Sequence, residues 1–256
     1  MPDAMEPEEY GRMAHFELSY WWYAGLHRLV LDALADEVAG QTQCRIVDAG
    51  CGTGGLLRVI CREYPATDIT GFDIANGALQ IASTRAAGKL AQASIMAMPF
   101  PPNSFDAVTI TDVLYIQGVD ESAALTEAYR VLRPGGVLII NLPAFEWLRG
   151  EHDAAVHTAR RYTRSQVRDL VAVKFTLERV FYWNASMLPA MLLVRRVLRR
   201  GHPTAPRSDF SELPGWLNRL LRAVVLADIR LCQALRVPFG GSIFCVARKR
   251  PTDPAR

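Results

Sequence analysis

Between residues 43 and 142, short apolar runs alternate with longer stretches whose apolar positions recur every third or fourth residue. Ile46-Val47, Asp68 to Phe72, Leu90 to Ser94, Phe105 to Thr111 and Val137 to Ile140 read as strands, with helices over 55–64 and 76–88 between them. Asn76 is suited to cap the second of these helices. Alternating strands and helices predict a parallel sheet covered on its faces. The almost unbroken apolar character of Phe105 to Thr111 marks the strand buried on both sides. Further on, Thr163 to Val173 reads as helix, Lys174 to Trp183 as a sixth strand and Ser242 to Ala247 as the last.

Both flanks of this pattern are helical. Residues 8–39 place Tyr10, Phe16, Tyr20, Trp21, Trp22, Tyr23, Leu26, Leu29, Val30 and Leu34 mostly at helical spacing, in two helices whose aromatics need a partner surface. Such a pair either caps the sheet edge or folds over a ligand as a lid. A second insertion precedes the last strand. Met187 to Arg200 is apolar then basic, 201–214 is a polar loop, and Trp216 to Leu235 is an amphipathic helix. In that helix Leu217, Leu220, Leu221, Val224, Ala227, Leu231 and Leu235 share one side. The expected organisation is a single domain over 1–256: a helical cap (1–40), a core (41–185), a helical insertion (186–240) and the last strand (241–250).

Composition narrows the class. A chain of 256 residues, half of them apolar, buries one large core and would be crowded by a second domain. No run of eighteen apolar residues offers a membrane span, and Met1 to Glu9 is acidic where a signal peptide would be basic, so the expectation is a cytoplasmic protein. The five cysteines include no Cys-x-x-Cys pair and read as reduced core residues. Net charge is +3, yet residues 186–256 carry 13 Lys and Arg against 4 Asp and Glu. Segment 187–236 therefore suits a roof over a pocket or a homo-oligomer interface on one reading, and peripheral contact with an anionic membrane or a lipid-like molecule on another.

The chemistry concentrates at Ile46 to Gly55, where an apolar strand runs into a glycine-rich turn and then a helix. Gly50, Gly52 and Gly54 allow positive φ and leave room for a ligand against the backbone. Nineteen residues on, the next strand ends at Asp73, the spacing at which doubly wound folds place an acid that accepts from ribose hydroxyls. The Gly-x-Gly-x-Gly spacing fits neither the dinucleotide fingerprint nor a triphosphate loop. An adenosine-type cofactor without a pyrophosphate remains.

Asp48-Ala49-Gly50-Cys51-Gly52-Thr53-Gly54 resembles the first motif of class I S-adenosylmethionine-dependent methyltransferases. Gly71-Phe72-Asp73, Met98-Pro99-Phe100-Pro101 with Ser104-Phe105-Asp106, and Arg130 to Gly136 follow in the family's order, together covering roughly 43 to 142. The resemblance implies a Rossmann-like, doubly wound α/β fold of seven strands, the last antiparallel between the fifth and sixth. It implies S-adenosyl-L-methionine as cofactor, bound by Asp48, Gly50, Cys51, Gly52, Gly54, Asp73, Ile74, Ser94, Ile95, Met96 and Asp112. Ser94 departs from the family, which commonly holds an aspartate there for the adenine amino group. The Asn/Asp-Pro-Pro-aromatic motif of nucleic-acid base methyltransferases is missing from the end of the 105–111 strand, so nucleic acid is not the expected partner.

The acceptor side is less generic. Phe145 to Asp153, His157 and Arg160-Arg161-Tyr162-Thr163 follow the fifth strand, where this fold carries its ligands. The His152-Asp153 and Arg-Arg-Tyr elements resemble a pattern in a bacterial subgroup of these enzymes. His152 is the candidate general base or orienting group, with Tyr23 a second candidate catalytic residue. His152 and His157 stand at a spacing that shares a helix face, without a third convincing metal ligand, so no metal is expected. The activity expected is methyl transfer to a small or lipid-like acceptor. The alternative is a protein that binds the same cofactor without transferring methyl, as a rearrangement catalyst or sensor; a membrane-bound scaffold with a degenerate pocket also stays open.

Overall fold

Seven strands form one sheet in the order β3-β2-β1-β4-β5-β7-β6, in a computed structural model that describes residues 7–39, 43–85, 88–189 and 212–250. β1 (Arg45–Ala49), β2 (Asp68–Asp73), β3 (Lys89–Gln92), β4 (Phe105–Thr111) and β5 (Leu132–Pro143) run parallel. β7 (Ser242–Lys249) lies antiparallel between β5 and β6 (Phe175–Trp183). The strand order reverses between β1 and β4, and the crevice at their carboxyl ends is where open α/β sheets bind ligands.

The helices are α1 (Pro7–Phe16), α2 (Trp21–Val38), α3 (Gly55–Glu63), α4 (Asn76–Arg85), α5 (Glu121–Val131), α6 (Glu151–Ala155), α7 (Arg164–Ala172) and α8 (Gly215–Leu235). Alternation along the strands feeds two apolar layers. Ile46, Ala107, Ile139 and Phe244 meet Leu29, Val30 and Leu34 of α2, Leu57 and Ile60 of α3, and Val225 and Ile229 of α8. Val108, Ile110, Leu138 and Ile140 meet Ala124, Leu125 and Ala128 of α5 and Val167 and Val171 of α7. Each large apolar side chain so enclosed contributes about 1.5–3 kcal/mol.

α2 and α8 approach closely at Gly25, where a Cβ would lie 2.9 Å from the Trp183 ring and 3.0 Å from Val225. Asn218 of α8 joins the turn between α1 and α2, accepting from the Trp21 N–H at 3.0 Å and donating to the Ser19 carbonyl at 2.9 Å. Asp228 accepts from the backbone N–H groups of Ala185 and Ser186 at 3.2 and 2.7 Å, which anchors α8 beside the end of β6.

Several local expectations are corrected. β3 ends at Gln92, so Ser94 lies beyond the strand, in an isolated bridge with Ala97. Asn76 is the first helical residue of α4 and not its cap; the Ala75 N–H is held instead by Asp73 at 2.9 Å. β5 begins at Leu132, five residues before the apolar run, because Leu132 already pairs with Phe105 across a bulge. The buried face of α8 is Val225, Asp228, Ile229 and Cys232, while Leu220, Leu231 and Leu235 of the leucine-rich side are exposed. Most of Met187 to Arg200 and of the 201–214 loop lies outside the described residues. No helix among the described residues is long and apolar enough to cross a membrane.

Candidate active site

The turn after β1 is built from three left-handed glycines: Gly50, Gly52 and Gly54 have φ of 80°, 51° and 83°. A Cβ at Gly50 would collide with the Val113 side chain as well as strain the backbone. The Gly50 and Cys51 N–H groups donate to the Phe72 carbonyl at 2.8 and 3.0 Å. Cys51 turns its sulfur toward Gly71, and burial pushes its thiol well up, so it serves as backbone and packing. Asp73 closes the turn: Oδ2 accepts from the Gly52 N–H and Oδ1 from the Ala75 N–H, both at 2.9 Å. Each oxygen keeps a lone pair for a ligand hydroxyl.

Three further carboxylates surround this turn. Asp48 is buried at the end of β1 and accepts from the Thr109 hydroxyl at 2.6 Å. Burial raises its pKa to about 7 against that bond, helped by Asp73 and Glu17. Asp112 follows β4 in a left-handed conformation, φ 60°, a costly geometry that concentrates at functional sites. Asn141 Nδ2 donates to both its oxygens at 3.0 Å, and Asn141 Oδ1 accepts from the buried Trp183 indole at 2.9 Å. Burial nonetheless holds Asp112 at about 7. Glu17, between α1 and α2, accepts from the Thr53 hydroxyl at 2.7 Å and pairs with Arg85. Met13 lies over Gly52. The aromatic N-terminal segment is thus a roof seated on the glycine turn, and Glu17, Thr109, Asn141 and Asn218 are site-building residues that sequence reasoning missed. No local spacing marks them, since their partners lie 29 to 199 residues away.

Under the roof lies a cavity of about 840 Å³, toward the upper end of the roughly 300–1,000 Å³ of small-molecule sites. Asp48, Gly50, Cys51, Gly52, Asp73, Ile74, Ser94, Ile95, Met96 and Asp112 all line it, together with Tyr23 and His152. Gly54 shapes the turn as the cap of α3. Ser94 Oγ accepts from the Met96 N–H at 3.2 Å. Burial lifts the Tyr23 and Tyr115 hydroxyls well above their ordinary values, so both remain neutral donors.

The loop after β5 is clamped. Arg161 donates from Nε and Nη2 to the Asp153 carboxylate at 2.8 and 3.0 Å and from Nη1 to the Ala144 carbonyl at 3.0 Å. Burial alone would raise the Asp153 carboxyl, but Arg161 and the Gly150 N–H bring it below its usual value. Arg160 and Tyr162 both bind Glu121 at the start of α5. The Arg-Arg-Tyr element is therefore a structural clasp, and it leaves His152 at the cavity wall. α6 ends at Ala155 and His157 takes φ 52°, so the two histidines do not share a helix face as their spacing predicted. No group of three or more metal-ligating side chains occurs among the described residues.

Among the described residues, Glu9, Glu17, Asp48, Asp73, Asp112 and Asp153 face the cavity against Arg161 as the one arginine or lysine. That balance suits a positively charged nucleoside ligand, with hydroxyls for Asp73 and a cation for the remaining acids. Fold and site thus define a nucleoside-binding doubly wound α/β protein. More narrowly, residues 47–140 match the family described as methyltransferase domain. A ubiquinone/menaquinone biosynthesis C-methyltransferase of Dinoroseobacter shibae is 34% identical over 124 residues, 45% of this chain and 49% of that protein. A demethylmenaquinone methyltransferase of Thermus thermophilus is 38% identical over 101 residues, 38% of this chain and 46% of the relative. The chain thus spans about half the length of the curated relatives it matches. A phosphoethanolamine N-methyltransferase 2 of Haemonchus contortus, solved in complex with S-adenosyl-L-methionine, shares the fold at TM-score 0.57 and 21% identity, over 87% of this chain and 52% of that one.

The raised acids set a pH dependence. Asp48 and Asp112 keep their protons in the folded protein up to about 7, whereas the unfolded carboxyls lose theirs near 3.8. The folded state then binds more protons between these values, so stability of the ligand-free protein falls as pH rises through that window. A cationic ligand favours the carboxylates, so its affinity rises over the same range. Calorimetry with S-adenosylmethionine from about pH 5.5 to 7.2 is expected to show several-fold tightening, flattened in Asp48→Asn and Asp112→Asn. A flat wild-type profile would remove these acids from cation binding.

Proposed function

We propose that the protein transfers the methyl group of S-adenosylmethionine to a small or lipid-like acceptor. The observation that carries this reading is the left-handed glycine turn closed by Asp73 inside a cavity dominated by carboxylates. S-adenosylmethionine, when bound, supplies a methyl on a cationic sulfur that is open to in-line displacement. Asp73 would accept from the ribose hydroxyls, and Ile74, Ile95 and Met96 would pack on the adenine with Ser94 at its polar edge. Gly50, Cys51, Gly52 and Gly54 would carry the backbone contacts, with Asp48 and Asp112 toward the cationic methionine portion. The α1–α2 roof would exclude water, which strengthens every electrostatic interaction beneath it. His152 would take a proton from the acceptor or orient it, with the neutral Tyr23 hydroxyl as a donor. The quinone-type acceptors named for the relatives support a lipid-like substrate class.

Asp73→Ala removes a charge-assisted acceptor and is expected to weaken S-adenosylhomocysteine binding by about 1.5–3 kcal/mol in calorimetry. Unchanged binding would sink the cofactor assignment. Formation of S-adenosylhomocysteine from S-adenosylmethionine in the presence of an acceptor distinguishes transfer from binding alone.

For His152→Ala, the single-turnover rate with an acceptor is expected to fall by about 10²–10⁴ with cofactor affinity and melting temperature retained. A loss of stability with an unchanged rate would make His152 a loop residue.

A membrane-facing role for α8 rests on a separate observation: Trp216, Leu220, Leu231 and Leu235 are all exposed and fall within a stripe of about 100° on the helix, with Arg219 and Arg230 also exposed. Sedimentation with phosphatidylglycerol vesicles at low salt, released as salt rises and lost in a Leu220→Asp/Leu231→Asp variant, is the expected result. Equal recovery with phosphatidylcholine vesicles would remove the electrostatic part, and concentration-dependent dimerisation without vesicle binding would assign the stripe to a second copy.

A further inference from the structure

Where α2, α8 and the end of β6 meet, the cavity is lined by two polar side chains with hydrogen-bonding capacity that the described residues leave unused. His27, on α2, is 8% exposed and lines the cavity. Its ring neighbour is Tyr23, at a centroid distance of 5.9 Å, and no hydrogen bond from another described residue reaches it. Burial first, and then the positive charge of Arg222, lower its pKa to about 4. The imidazole is neutral, with one donor and one acceptor nitrogen. Asn184, directly after β6, is 3% exposed, lines the same cavity and takes φ 61°. Its Oδ1 is buried without a hydrogen-bond partner. Native proteins pair nearly all such groups, and an unpaired one calls for an explanation. Here the explanation is a ligand, since both side chains face open volume.

The surroundings narrow its chemistry. Tyr20, Trp21, Trp22, Tyr23 and Tyr115 line the cavity and offer flat faces to an aromatic ring. A carboxylate or phosphate in this space would meet the surplus of cavity acids. An ammonium group would meet the positive field of Arg222 at His27. A neutral hydroxyl meets neither penalty, and it can donate to one of the pair while accepting from the other.

We infer, resting on the methyl-transfer reading, that the acceptor is a flat ring bearing a hydroxyl group and that His27 and Asn184 together hold that hydroxyl. They are positioning residues in this scheme: they fix the ring beneath the roof so that its reacting atom meets the methyl group, a gain that depends on orientation.

The test compares 2-naphthol with 2-methylnaphthalene, the same ring without the hydroxyl, by calorimetry on the full chain with and without S-adenosylhomocysteine. The wild type is expected to prefer 2-naphthol by about ten-fold or more, as sites built to hydrogen-bond a hydroxyl do. His27→Phe and Asn184→Gly, the latter keeping the left-handed backbone, are expected to bring the ratio toward one with S-adenosylhomocysteine affinity and melting temperature unchanged. His27→Gln, which keeps a donor and an acceptor, should restore part of the preference. Equal binding of the two compounds by the wild type, no binding of 2-naphthol, or a preference that survives in both variants overturns the inference. Failure of S-adenosylhomocysteine to bind the wild type instead strikes the methyl-transfer reading, and the naphthalene comparison without it still decides whether the pair reads a hydroxyl.

Discussion

The carboxylate of Asp73 is the point on which the rest of the site depends. One oxygen holds the turn after β1 through Gly52, and the other holds the start of α4 through Ala75. Two loops from adjacent strands are thereby fixed by one side chain, and the left-handed path of Gly50, Gly52 and Gly54 follows from where that side chain sits. The roof depends on the turn in its place. Thr53, held in the same turn, supplies the hydroxyl that binds Glu17, and Glu17 brings α1 and α2 down over the crevice.

This arrangement gathers like charges. Asp48, Asp73 and Glu17 lie close enough that each contributes to raising Asp48, and Asp112 is held nearby in a strained conformation by Asn141 and Trp183. Such a cluster costs stability in the free protein. The cost becomes useful when a cation binds, because the ligand then relieves repulsion as well as forming its own contacts. Thr109 and Asn141 restrain the acids in position without neutralising them, which keeps the field directed at the cavity. Asp48, Asp73 and Asp112 have neutral or backbone partners, so their negative potential is not dissipated into an internal salt bridge, whereas Glu17 is paired with Arg85. Asp153 shows the contrast: paired with Arg161, it serves the loop and contributes little to that potential.

What was legible in the sequence is what short spacing determines. The glycine turn, Asp73 and the parallel strands follow from local patterns and from motifs that recur in order, while the antiparallel last strand was expected only from the family resemblance. The order itself has a physical cause, since Arg130 reaches the carbonyls of Met98 and Phe100 at 2.8 and 2.6 Å and so ties two of the motifs together. Contacts between distant segments were not legible. Glu17 finds Thr53, Asn218 finds Ser19 and Trp21, and Asn141 finds Asp112 only once the sheet brings them together. The face of α8 was misread for a related reason. Leucine count suggested one side, but the helix turns Asp228 inward to satisfy two backbone N–H groups at the end of β6, and that demand sets its rotation.

The two halves of the cavity therefore have different origins. The cradle lies within residues 47–140, the stretch that matches the methyltransferase domain family, and it is built from backbone turns that tolerate little change. The rest of the cavity wall is built from Tyr23 and His27 before that stretch and from His152, Asn184 and α8 after it. The likeness in the middle of the chain thus bears on the cofactor, whereas the acceptor must be deduced from this chain's own walls. Those walls are joined by long-range contacts: Asn218 between roof and α8, Asp228 between α8 and β6, Arg161 within the loop after β5. On the proposed methyl-transfer reading, a substitution in any of them moves the acceptor relative to the methyl group while leaving the cradle intact, and a displacement of about 1 Å is enough to change the rate by orders of magnitude. Selectivity in this fold can therefore diverge without any change in the residues that bind the cofactor.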